Sequence, residues 1–591
     1  MKGSLLVCGT HSDAGKSVVV AGLCRWLARE GIKAAPFKAQ NMALNSFVTL
    51  DGAEIGRAQA AQAQAARVEP EAAMNPVLLK ASAGNRTQVI VMGKVHSDAT
   101  AKSYQRTKRA LMPVVLEAFE SLHRRYDVVI CEGAGSPAEV NLRKNDLANL
   151  GLARAANGPN GIPTILVGDI DRGGLFASLY GTLALLSDGD RAMVKAFVVN
   201  KFRGDPRVLE PGLDTLTRLT GRPFLGTLPF AGGLELDGED SMALDKLRET
   251  KPPLGRDILK VSVARFPRIS NFTDLDALAH EPGVEVRFTR SATELLGADL
   301  AVLPGTKATV EDLAWMRGRG MDAAVQQRKK RGLPTLGICG GYQMLGSRIV
   351  DGIEGASGEA PGLGLLPIET VFEREKVLAR PSGAAPAFGG AWVSGYEVRH
   401  GRVRRYGGEP LIDISGDRGG DGGGSGGGSA GGSDSGPDEG CVAGSVFGTS
   451  WHGVLESDGF RRAFLAVVAA SRSLDWEAGD ETFASAREAR FERLADLVAG
   501  NLDRDALFAI IEGRGRTGFA PLSMPDMEDD APPASDGDGE TVSASSSEGD
   551  GERPGNENGE DAAGVSVEGD RELTVTNAAG IRGRQDGGHD R

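Results

Sequence analysis

Cys339 has the surroundings of a reactive thiol. It lies in LGICGGYQMLG, residues 336–346, between an apolar run and two glycines. The pattern predicts a strand that ends near Ile338 and a helix that begins after Gly341, which puts the thiol on a sharp turn beside helix N–H groups. The glycines would leave room beside the sulfur for a substrate, so we predict that Cys339 is a nucleophile.

The other cysteines lack this setting. Free cysteines are usually small buried apolar residues, and we predict that role for the three within strand or helix patterns, Cys8, Cys24 and Cys131. The chain has five cysteines, an odd number spread far apart. They do not form a disulfide framework or paired zinc ligands, so a reducing compartment fits them better.

A nucleophilic thiol needs a base, and the chain has seven histidines. His452 follows a short strand-like run and precedes a glycine in SVFGTSWHGVLESDG, so we predict it as the general base. His280 and His400 stay weaker alternatives, and His400 could instead shape the pocket. Backbone N–H groups of Gly305, in VLPGTKAT, and of Gly340 form the predicted oxyanion hole.

A phosphate-binding motif lies near the start of the chain. GTHSDAGKS, residues 9–17, follows the strand-like SLLVC and precedes a helix-like run. A glycine-rich turn at a helix N-terminus presents N–H groups to phosphate, while its lysine reaches the terminal phosphates and its serine holds Mg²⁺. The interval between the two glycines departs by one residue from GxxxxGKS, so the loop is a variant. The predicted phosphate-binding residues are Gly9, Thr10, Gly15, Lys16 and Ser17.

Polar residues at later strand ends extend this site. Open α/β sheets bind ligands at the carboxyl ends of their strands, and VVICEGAGSP places Glu132 there, where its carboxylate could bind Mg²⁺ directly or through water. VGDIDRGG places Asp169 and Asp171 at another strand end, with a structural turn as the alternative. Asn200 and Lys201, in VVNKFRGD, are similar to the base-contacting pairs of other P-loop proteins, a weak pattern by itself.

A dense polar segment, PFKAQNMALNS at residues 36–46, follows a short strand. Lys38 could neutralise a transferring phosphoryl group, and Gln40, Asn41 and Asn45 could bind a polar substrate. A solvated loop is the alternative. With the phosphate loop, these residues predict phosphoryl transfer from ATP, but they do not identify the acceptor.

The elements that must position these residues form two α/β patterns. Short β-branched runs alternate with helical patterns, which predicts parallel sheets. We predict a first domain at 1–248 and a second at 257–513, after a proline-containing linker. A flexible glycine-rich insertion at 416–437 interrupts the second, and an acidic tail at 514–591 is predicted to be disordered because both segments have few apolar side chains.

Composition excludes several classes of protein. The chain has 591 residues, enough for two or more domains. Its net charge of -13 argues against nonspecific nucleic-acid binding. No apolar run reaches the roughly 18 residues of a membrane span, and no signal peptide is evident at the start. We therefore expect a soluble cytoplasmic protein without a membrane or nucleic-acid partner.

Eleven ordered segments, which cover roughly residues 1–513, resemble the cobyric acid synthase family. The resemblance implies a dethiobiotin-synthetase-like P-loop domain followed by a class I glutamine amidotransferase domain. The segments are GTHSDAGKS, FKAQNMALNS, EIGRAQAAQA, MNPVLLK, CEGAGSPAEVNL, DIDRGGLFASLYGT, NKFRGD, PRISNFTDLDAL, LPGTK, GICGGYQMLG and SWHGVLES.

The resemblance also implies a reaction. Members of the family amidate carboxylates b, d, e and g of adenosylcobyrinic acid a,c-diamide, a corrinoid, with ATP, Mg²⁺ and glutamine as the ammonia donor. Cys339 would release ammonia with His452 managing the protons, while Lys16, Ser17 and Glu132 would position ATP and Mg²⁺. A homo-oligomer is left open.

One departure concerns the histidine. Many class I amidotransferases carry a glutamate two residues after it, but here that position is Val454 and the nearest acid is Glu456. The resembled family also lacks this glutamate, so the group that orients His452 stays open.

Two alternatives to the main interpretation remain. The first is a cobyrinic acid a,c-diamide synthase of the same architecture, which should differ in the polar segment at 36–46. The second belongs to another class, a P-loop switch protein whose amidotransferase-like domain is not catalytic. An intact pair of Cys339 and His452 argues against the switch protein.

Overall fold

The computed structural model describes residues 1–82, 86–156, 161–234, 250–355, 358–414, 438–515, 518–519 and 522–523. These residues all lie in one compact unit, Met1–Pro525. The predicted insertion at 416–437 and nearly all of the predicted tail at 514–591 lie outside the described residues.

The first half of the chain contains twelve described strands and eight described α-helices. The strands are β1 Gly3–Gly9, β2 Ala34–Phe37, β3 Gln40–Met42, β4 Ser46–Val48, β5 Glu54–Gly56, β6 Val77–Ala81, β7 Arg86–Val91, β8 Lys94–Thr100, β9 Val128–Glu132, β10 Thr164–Asp169, β11 Val194–Phe202 and β12 Phe224–Pro229. The helices are α1 Lys16–Arg29, α2 Arg57–Ala65, α3 Ala101–Thr107, α4 Met112–Arg125, α5 Leu150–Ala155, α6 Leu175–Ala184, α7 Asp188–Met193 and α8 Glu210–Thr220.

A six-stranded sheet in the order β12-β11-β10-β1-β9-β2 forms the centre of this half. All of its neighbouring strands run parallel. Helices cover both faces, as a sheet requires when its strands are near-continuous apolar runs. Accordingly every residue of β9 and β10 is buried. A smaller sheet, β3-β6-β7-β8, and the β4-β5 hairpin lie beside it.

The second half contains fourteen described strands and eight described α-helices. The strands are β13 Leu259–Ala264, β14 Val284–Thr289, β15 Leu300–Leu303, β16 Thr335–Ile338, β17 Arg348–Asp351, β18 Gly358–Pro361, β19 Ile368–Ala379, β20 Ser382–Ala385, β21 Ala391–Ser394, β22 Glu397–Arg405, β23 Ile412–Asp413, β24 Asp438–Glu439, β25 Cys441–Ala443 and β26 Val446–Thr449. The helices are α9 Asp276–His280, α10 Ala292–Gly297, α11 Thr309–Gly318, α12 Met321–Lys330, α13 Gly340–Leu345, α14 Asp458–Ser471, α15 Phe483–Ala499 and α16 Arg504–Ile511.

A second six-stranded sheet, β14-β13-β15-β16-β26-β25, forms the centre of this half. Its strands are parallel except for the edge pair of β25 and β26. The prediction of two successive α/β sheets is therefore confirmed. Two four-stranded sheets, β18-β17-β19-β22 and β21-β20-β23-β24, flank it.

The last two helices pack on the first sheet, although chain order groups them with the second. Phe491, Leu494 and Val498 of α15 share an apolar cluster with α1 residues. Arg25 of α1, whose side chain is fully buried, pairs with Glu492 at 3.0 Å. The predicted second domain, 257–513, includes these helices because it follows the order of the chain. In the structure they pack with the first half.

Among the described residues, no helix combines the length and the apolar character that a bilayer crossing requires.

Candidate active sites

The phosphate loop lies between the central strand of the first sheet and α1. β1 ends at Gly9 and α1 begins at Lys16. Gly15 caps the helix with φ 94°, a left-handed conformation that glycine adopts without strain. The loop is thus the glycine-rich turn at a helix N-terminus that the sequence predicts.

Lys16, Ser17 and Glu132 come together at this loop. The Lys16 ammonium donates to the carbonyl oxygens of His11 and Gly135, at 3.0 and 3.1 Å. The Ser17 hydroxyl donates to Glu132 Oε1 at 2.9 Å. Since Glu132 is the last residue of β9, next to β1, its carboxylate lies at the carboxyl edge of the sheet.

Lys38 and Gln62 surround the same carboxylate. Lys38 Nζ lies 2.9 Å from Glu132 Oε1, and Gln62 Nε2 donates to Oε2 at 2.5 Å. Burial alone would raise the pKa of Glu132, but the charge and hydrogen bond of Lys38 and the hydrogen bond of Gln62 lower it overall. Glu132 therefore carries a negative charge beside the phosphate loop, compensated by Lys38.

The oxygens of Ser17 and Glu132 are hard donors of the kind that Mg²⁺ prefers. Mg²⁺ commonly takes one or two protein oxygens and fills its other positions with phosphates and water. Among the described residues, no group of three or more His, Cys, Asp or Glu is placed to hold a metal by itself. The donor set thus fits a metal that arrives with a nucleotide.

Asn200 and Lys201 contact the phosphate loop from the neighbouring side. Asn200 Nδ2 donates to the Ala14 carbonyl at 2.9 Å, and Lys201 Nζ donates to the Asp13 carbonyl at 2.7 Å. Lys201 also pairs with Asp169 at 2.6 Å. In the structure this pair supports the loop, and contact with a nucleotide base stays a prediction.

The acids predicted to bind substrate are engaged within the protein. Asp169, at the end of β10, pairs with Lys201 and accepts from the Asp171 N–H at 2.9 Å. Asp171 pairs with Arg203 at 3.2 Å. Their substrate-binding role stays a prediction.

The polar segment after β2 does not form one open surface. Gln40 accepts from the Tyr104 hydroxyl at 2.7 Å, and Asn41 donates to Gln59 at 2.7 Å. Asn45 is fully buried, and its side-chain oxygen accepts from the Phe272 N–H of the second half at 3.3 Å. In this structure its side chain contacts the other half of the chain, and a direct role of Asn45 in substrate binding stays a prediction.

Sequence reasoning missed Gln59 and Gln62 of α2. They lie three positions apart, so they share a helix face, and both are fully buried. Gln62 Oε1 has no partner among the described residues. The available signal was their spacing in RAQAAQAQA, where glutamines punctuate an otherwise alanine-rich helix.

Cys339 lies between the end of β16 and the start of α13, as predicted. Its backbone has φ 49° and ψ −109°, outside the regions that a residue with a side chain normally adopts. Such strain is retained where neighbours determine the turn, and here the Cys339 N–H donates to Thr449 at 2.8 Å. The prediction that the helix begins after Gly341 is wrong, since it begins at Gly340.

The two glycines after Cys339 accommodate neighbouring backbone. A Cβ added at Gly341 would lie 1.9 Å from the Leu303 carbonyl oxygen, and one at Gly340 would lie 2.7 Å from Thr306 Cγ2. The expectation that they leave room for a substrate is therefore wrong. Their small size instead lets α13 approach the loop after β15.

His452 and Cys339 line the same cavity, and the histidine is held by an acid that sequence reasoning missed. Asp274 Oδ2 lies 2.7 Å from His452 Nδ1, and Asp274 Oδ1 accepts from the Gly453 N–H at 2.8 Å. Burial would lower the pKa of His452, but Asp274 and Cys339 outweigh it and raise the pKa to about 10. The arrangement is a buried cysteine–histidine–aspartate triad.

The other acid and base candidates are engaged elsewhere. Glu456 pairs with Arg57 of the first half at 2.6 Å and with Arg487 at 3.0 Å. His400 lines the cavity, but its Nε2 lies 3.2 Å from Gln88, and burial lowers its pKa to about 4. His280 is half-buried and does not line the cavity; its Nδ1 lies 3.1 Å from Lys251 Nζ and its Nε2 lies 3.5 Å from Glu481.

Gly305 and Gly340 both lie next to the triad. A Cβ added at Gly305 would lie 3.0 Å from His452 Cε1. The N–H of Gly341 donates to Pro304 at 3.1 Å, which ties the two loops together. The oxyanion-hole role of Gly305 and Gly340 stays a prediction.

Arg399 is a buried cation of the cavity that sequence reasoning missed. Its guanidinium donates to Glu397 at 2.7 Å and to the Gly401 carbonyl at 2.6 Å. Burial would lower the pKa of Arg399, but the Glu397 carboxylate raises it overall. The available signal was GYEVRHG, a strand-like segment in which a glutamate and an arginine flank a valine.

Comparison with known proteins gives two family matches. Residues 260–460 match a CobB/CobQ-like glutamine amidotransferase domain, and residues 5–241 match a CobQ/CobB/MinD/ParA nucleotide binding domain. These spans hold the cysteine–histidine–aspartate triad and the phosphate loop, respectively.

Full-length relatives extend the similarity across both spans. A cobyric acid synthase of Streptomyces avermitilis is 51% identical over 89% of this chain and 100% of its own length. One of Streptomyces coelicolor is 50% identical over 90% and 100%, and one of Rhodococcus jostii is 53% identical over 86% and 95%.

Proposed function

The chain belongs to the cobyric acid synthase family, and from this premise we propose that it amidates carboxylates b, d, e and g of adenosylcobyrinic acid a,c-diamide. The ammonia would come from glutamine and the energy from ATP. The observation that carries the proposal is the presence, in one chain, of a phosphate loop with Glu132 and of the Cys339–His452–Asp274 triad.

The triad supports hydrolysis of the glutamine side chain. His452 takes the proton of Cys339, and the sulfur attacks the amide carbon. The imidazolium then gives its proton to the nitrogen, which leaves as ammonia while a thioester forms. Water, deprotonated by His452, hydrolyses the thioester to glutamate. Asp274 would keep the imidazole oriented and offset its positive charge.

The cavity walls support recognition of glutamine. Arg399, braced by Glu397, supplies a fixed cation that would pair with the α-carboxylate of the amino acid. N–H groups of Gly305 and Gly340 would stabilise the oxyanion that develops on the amide carbonyl.

The first half supports activation of a corrinoid carboxylate. The γ-phosphoryl group passes from ATP to the carboxylate, which gives ADP and an acyl phosphate; ammonia then displaces phosphate and leaves the amide. N–H groups from Gly9 to Gly15, with Thr10, Lys16 and Lys38, would bind and neutralise the phosphates. Asn200 and Lys201 would hold the loop in place.

Ser17 and Glu132 would hold Mg²⁺, which supplies charge neutralisation for the phosphates when it is bound. Gln40, Asn41, Asp169 and Asp171 are the proposed surroundings of the substrate. The reaction is proposed to take place in the cytoplasm.

The test is incubation of the purified protein with ATP, Mg²⁺, glutamine and candidate corrinoids, followed by mass spectrometry. The proposal expects successive amidations of the a,c-diamide, with glutamate and ADP formed in proportion. Amidation of cobyrinic acid alone would instead identify an a,c-diamide synthase, and absence of any glutamate would identify a non-catalytic switch protein.

Cys339→Ala separates the two half-reactions. The variant should form no glutamate and should still amidate the corrinoid when ammonium salt replaces glutamine, because the phosphate site is intact. Loss of the ammonia-dependent reaction as well would contradict the proposed division of labour.

A further inference from the structure

Residues 45–57 of the first half reach across to the triad of the second half. They comprise β4, β5 and the start of α2, and we call them the bridge segment. The Ser46 N–H donates to Asn271 Oδ1 at 2.8 Å, and the Phe272 N–H donates to Asn45 Oδ1 at 3.3 Å. All four residues are buried.

Asn271 controls the turn that carries the triad's acid. Its backbone is left-handed, with φ 50° and ψ 35°, and it directly precedes a 3₁₀ turn, Phe272–Leu275, that contains Asp274. The Asp274 N–H donates to the Asn271 carbonyl at 3.0 Å. The position of the Asp274 carboxylate therefore depends on this turn. The Asn271 side chain at the start of the turn is held by the bridge segment.

The bridge segment also supports the histidine side of the triad. Phe47 packs on Tyr396 at 5.4 Å between ring centroids, and Tyr396 stacks on His452 at 5.4 Å. Tyr396 and His452 exchange both backbone hydrogen bonds at 2.9 Å. Arg57, the first residue of α2, pairs with Glu456, four positions after His452.

The same segment leads into the nucleotide site. α2 starts at Arg57 and carries Gln62, which donates to Glu132 beside the phosphate loop. One short stretch of chain thus contacts residues next to the acid and next to the histidine of the triad. The helix that follows it carries Gln62, which contacts the carboxylate of the ATP site.

We propose that the bridge segment is a positioning element of the glutamine site, which acts through Asn271 to align Asp274 with His452. This inference rests on the proposed function, because it assigns the segment a role in glutamine hydrolysis. The alignment would then depend on the half of the chain that binds ATP, and ammonia release would be tied to the presence of that half.

The test compares Asn271→Gly with Asn271→Asp in the full chain. Glycine adopts the left-handed turn without strain but removes the acceptor for Ser46, whereas aspartate tolerates the turn and keeps an oxygen acceptor. Asn271→Gly should lower kcat/KM for glutamine-dependent amidation by roughly tenfold or more, the scale of a buried hydrogen bond left unmade. Asn271→Asp should recover part of that loss, because it restores the oxygen acceptor but adds a buried carboxylate.

The ammonia-dependent reaction provides the internal reference. Both variants should retain amidation with ammonium salt to within about twofold, because the loss of one hydrogen bond in the glutamine site leaves the phosphate site unchanged. Arg67→Gly is the matched control, since Arg67 is also left-handed, with φ 56°, but exposed and outside both sites. It should leave both reactions unchanged.

Three results would overturn the inference. They are unchanged glutamine-dependent kinetics in Asn271→Gly, an equal loss of the glutamine-dependent and ammonia-dependent reactions, and an aspartate variant no better than the glycine variant. A wild-type protein without any glutamine-dependent reaction would instead reject the proposed function, so the two failures are distinguishable.

Discussion

At the scale of single residues, the glutamine site depends on how one imidazole is held. His452 is almost completely buried, so a charged imidazolium there requires compensation. Asp274 supplies it through its own carboxylate and fixes the loop through the Gly453 N–H. The acid therefore serves both the charge and the orientation of the histidine.

Asp274→Asn should lower the glutamine-dependent rate on the order of a hundredfold or more, since the amide no longer stabilises the imidazolium. Ammonia-dependent amidation in the same preparation serves as the control. A variant that hydrolyses glutamine at the wild-type rate would exclude Asp274 from the triad.

The same substitution should also change stability in a pH-dependent way. The folded-state pKa of His452 is raised from 6.5 to about 10, so its ion pair contributes fully below pH 6.5 and is lost as pH rises through 10. The difference in urea midpoint between wild type and Asp274→Asn should shrink across that window. A constant difference would contradict the assigned pairing.

At the scale of elements, the phosphate loop follows β1 and is held by β11, which lies two strands away from β1 in the sheet. β11 supplies Asn200, whose amide binds the Ala14 carbonyl and lies directly over Gly15. A Cβ added at Gly15 would lie 2.0 Å from Asn200 Nδ2. Contact between the loop and β11 therefore requires glycine for two reasons, the left-handed backbone and the lack of space.

Gly15→Ala should weaken ATP binding and raise the KM for ATP by roughly tenfold or more, because the loop must shift away from Asn200 or adopt a strained turn. Gly181→Ala, within α6, is the matched control. Apart from its own helix backbone, no atom of the described residues lies within 4 Å of its added Cβ, and alanine in a helix is more stable than glycine by about 1 kcal/mol. Equal ATP kinetics in both variants would contradict the role of Gly15.

At the scale of the whole molecule, the last two described helices pack against the first helix of the chain. α15 and α16 follow the second sheet in sequence yet cover α1 of the first, with Arg25 buried against α15 residues. The bridge segment makes the reciprocal connection from the first half into the second. The two halves are thus joined by α15 and α16, which return to the first sheet, and by the bridge segment, which contacts the second half. Each half therefore contributes to the stability of the other.

Leu494→Ala in α15 should lower the free energy of unfolding by about 2–5 kcal/mol, the cost of a buried leucine truncation. Arg493→Ala, at the exposed neighbouring position, should change it by less than about 0.5 kcal/mol. Urea unfolding monitored by circular dichroism measures both. A loss of similar size in the two variants would show that α15 is not packed as described.

The local parts of both sites could be predicted from sequence. A phosphate loop is a contiguous run of residues that determines its own turn and helix start, and Cys339 with its flanking glycines is the same kind of local signal. The strand-end position of Glu132 follows from the edge at which all parallel strands end. Two successive α/β sheets follow from the alternation of apolar runs and helical patterns.

Long-range pairings could only be decided by the tertiary structure. Asp274 lies 178 positions from His452, and nothing in the spacing of PRISNFTDLDAL identifies its partner. Asn45 contacts Phe272 of the other half, and α15 packs on the sheet that is remote in chain order. The sequence by itself determined the chemistry that short segments carry. The folded chain decided which segments meet, because burial of apolar faces and compensation of buried charge depend on neighbours that sequence order does not specify.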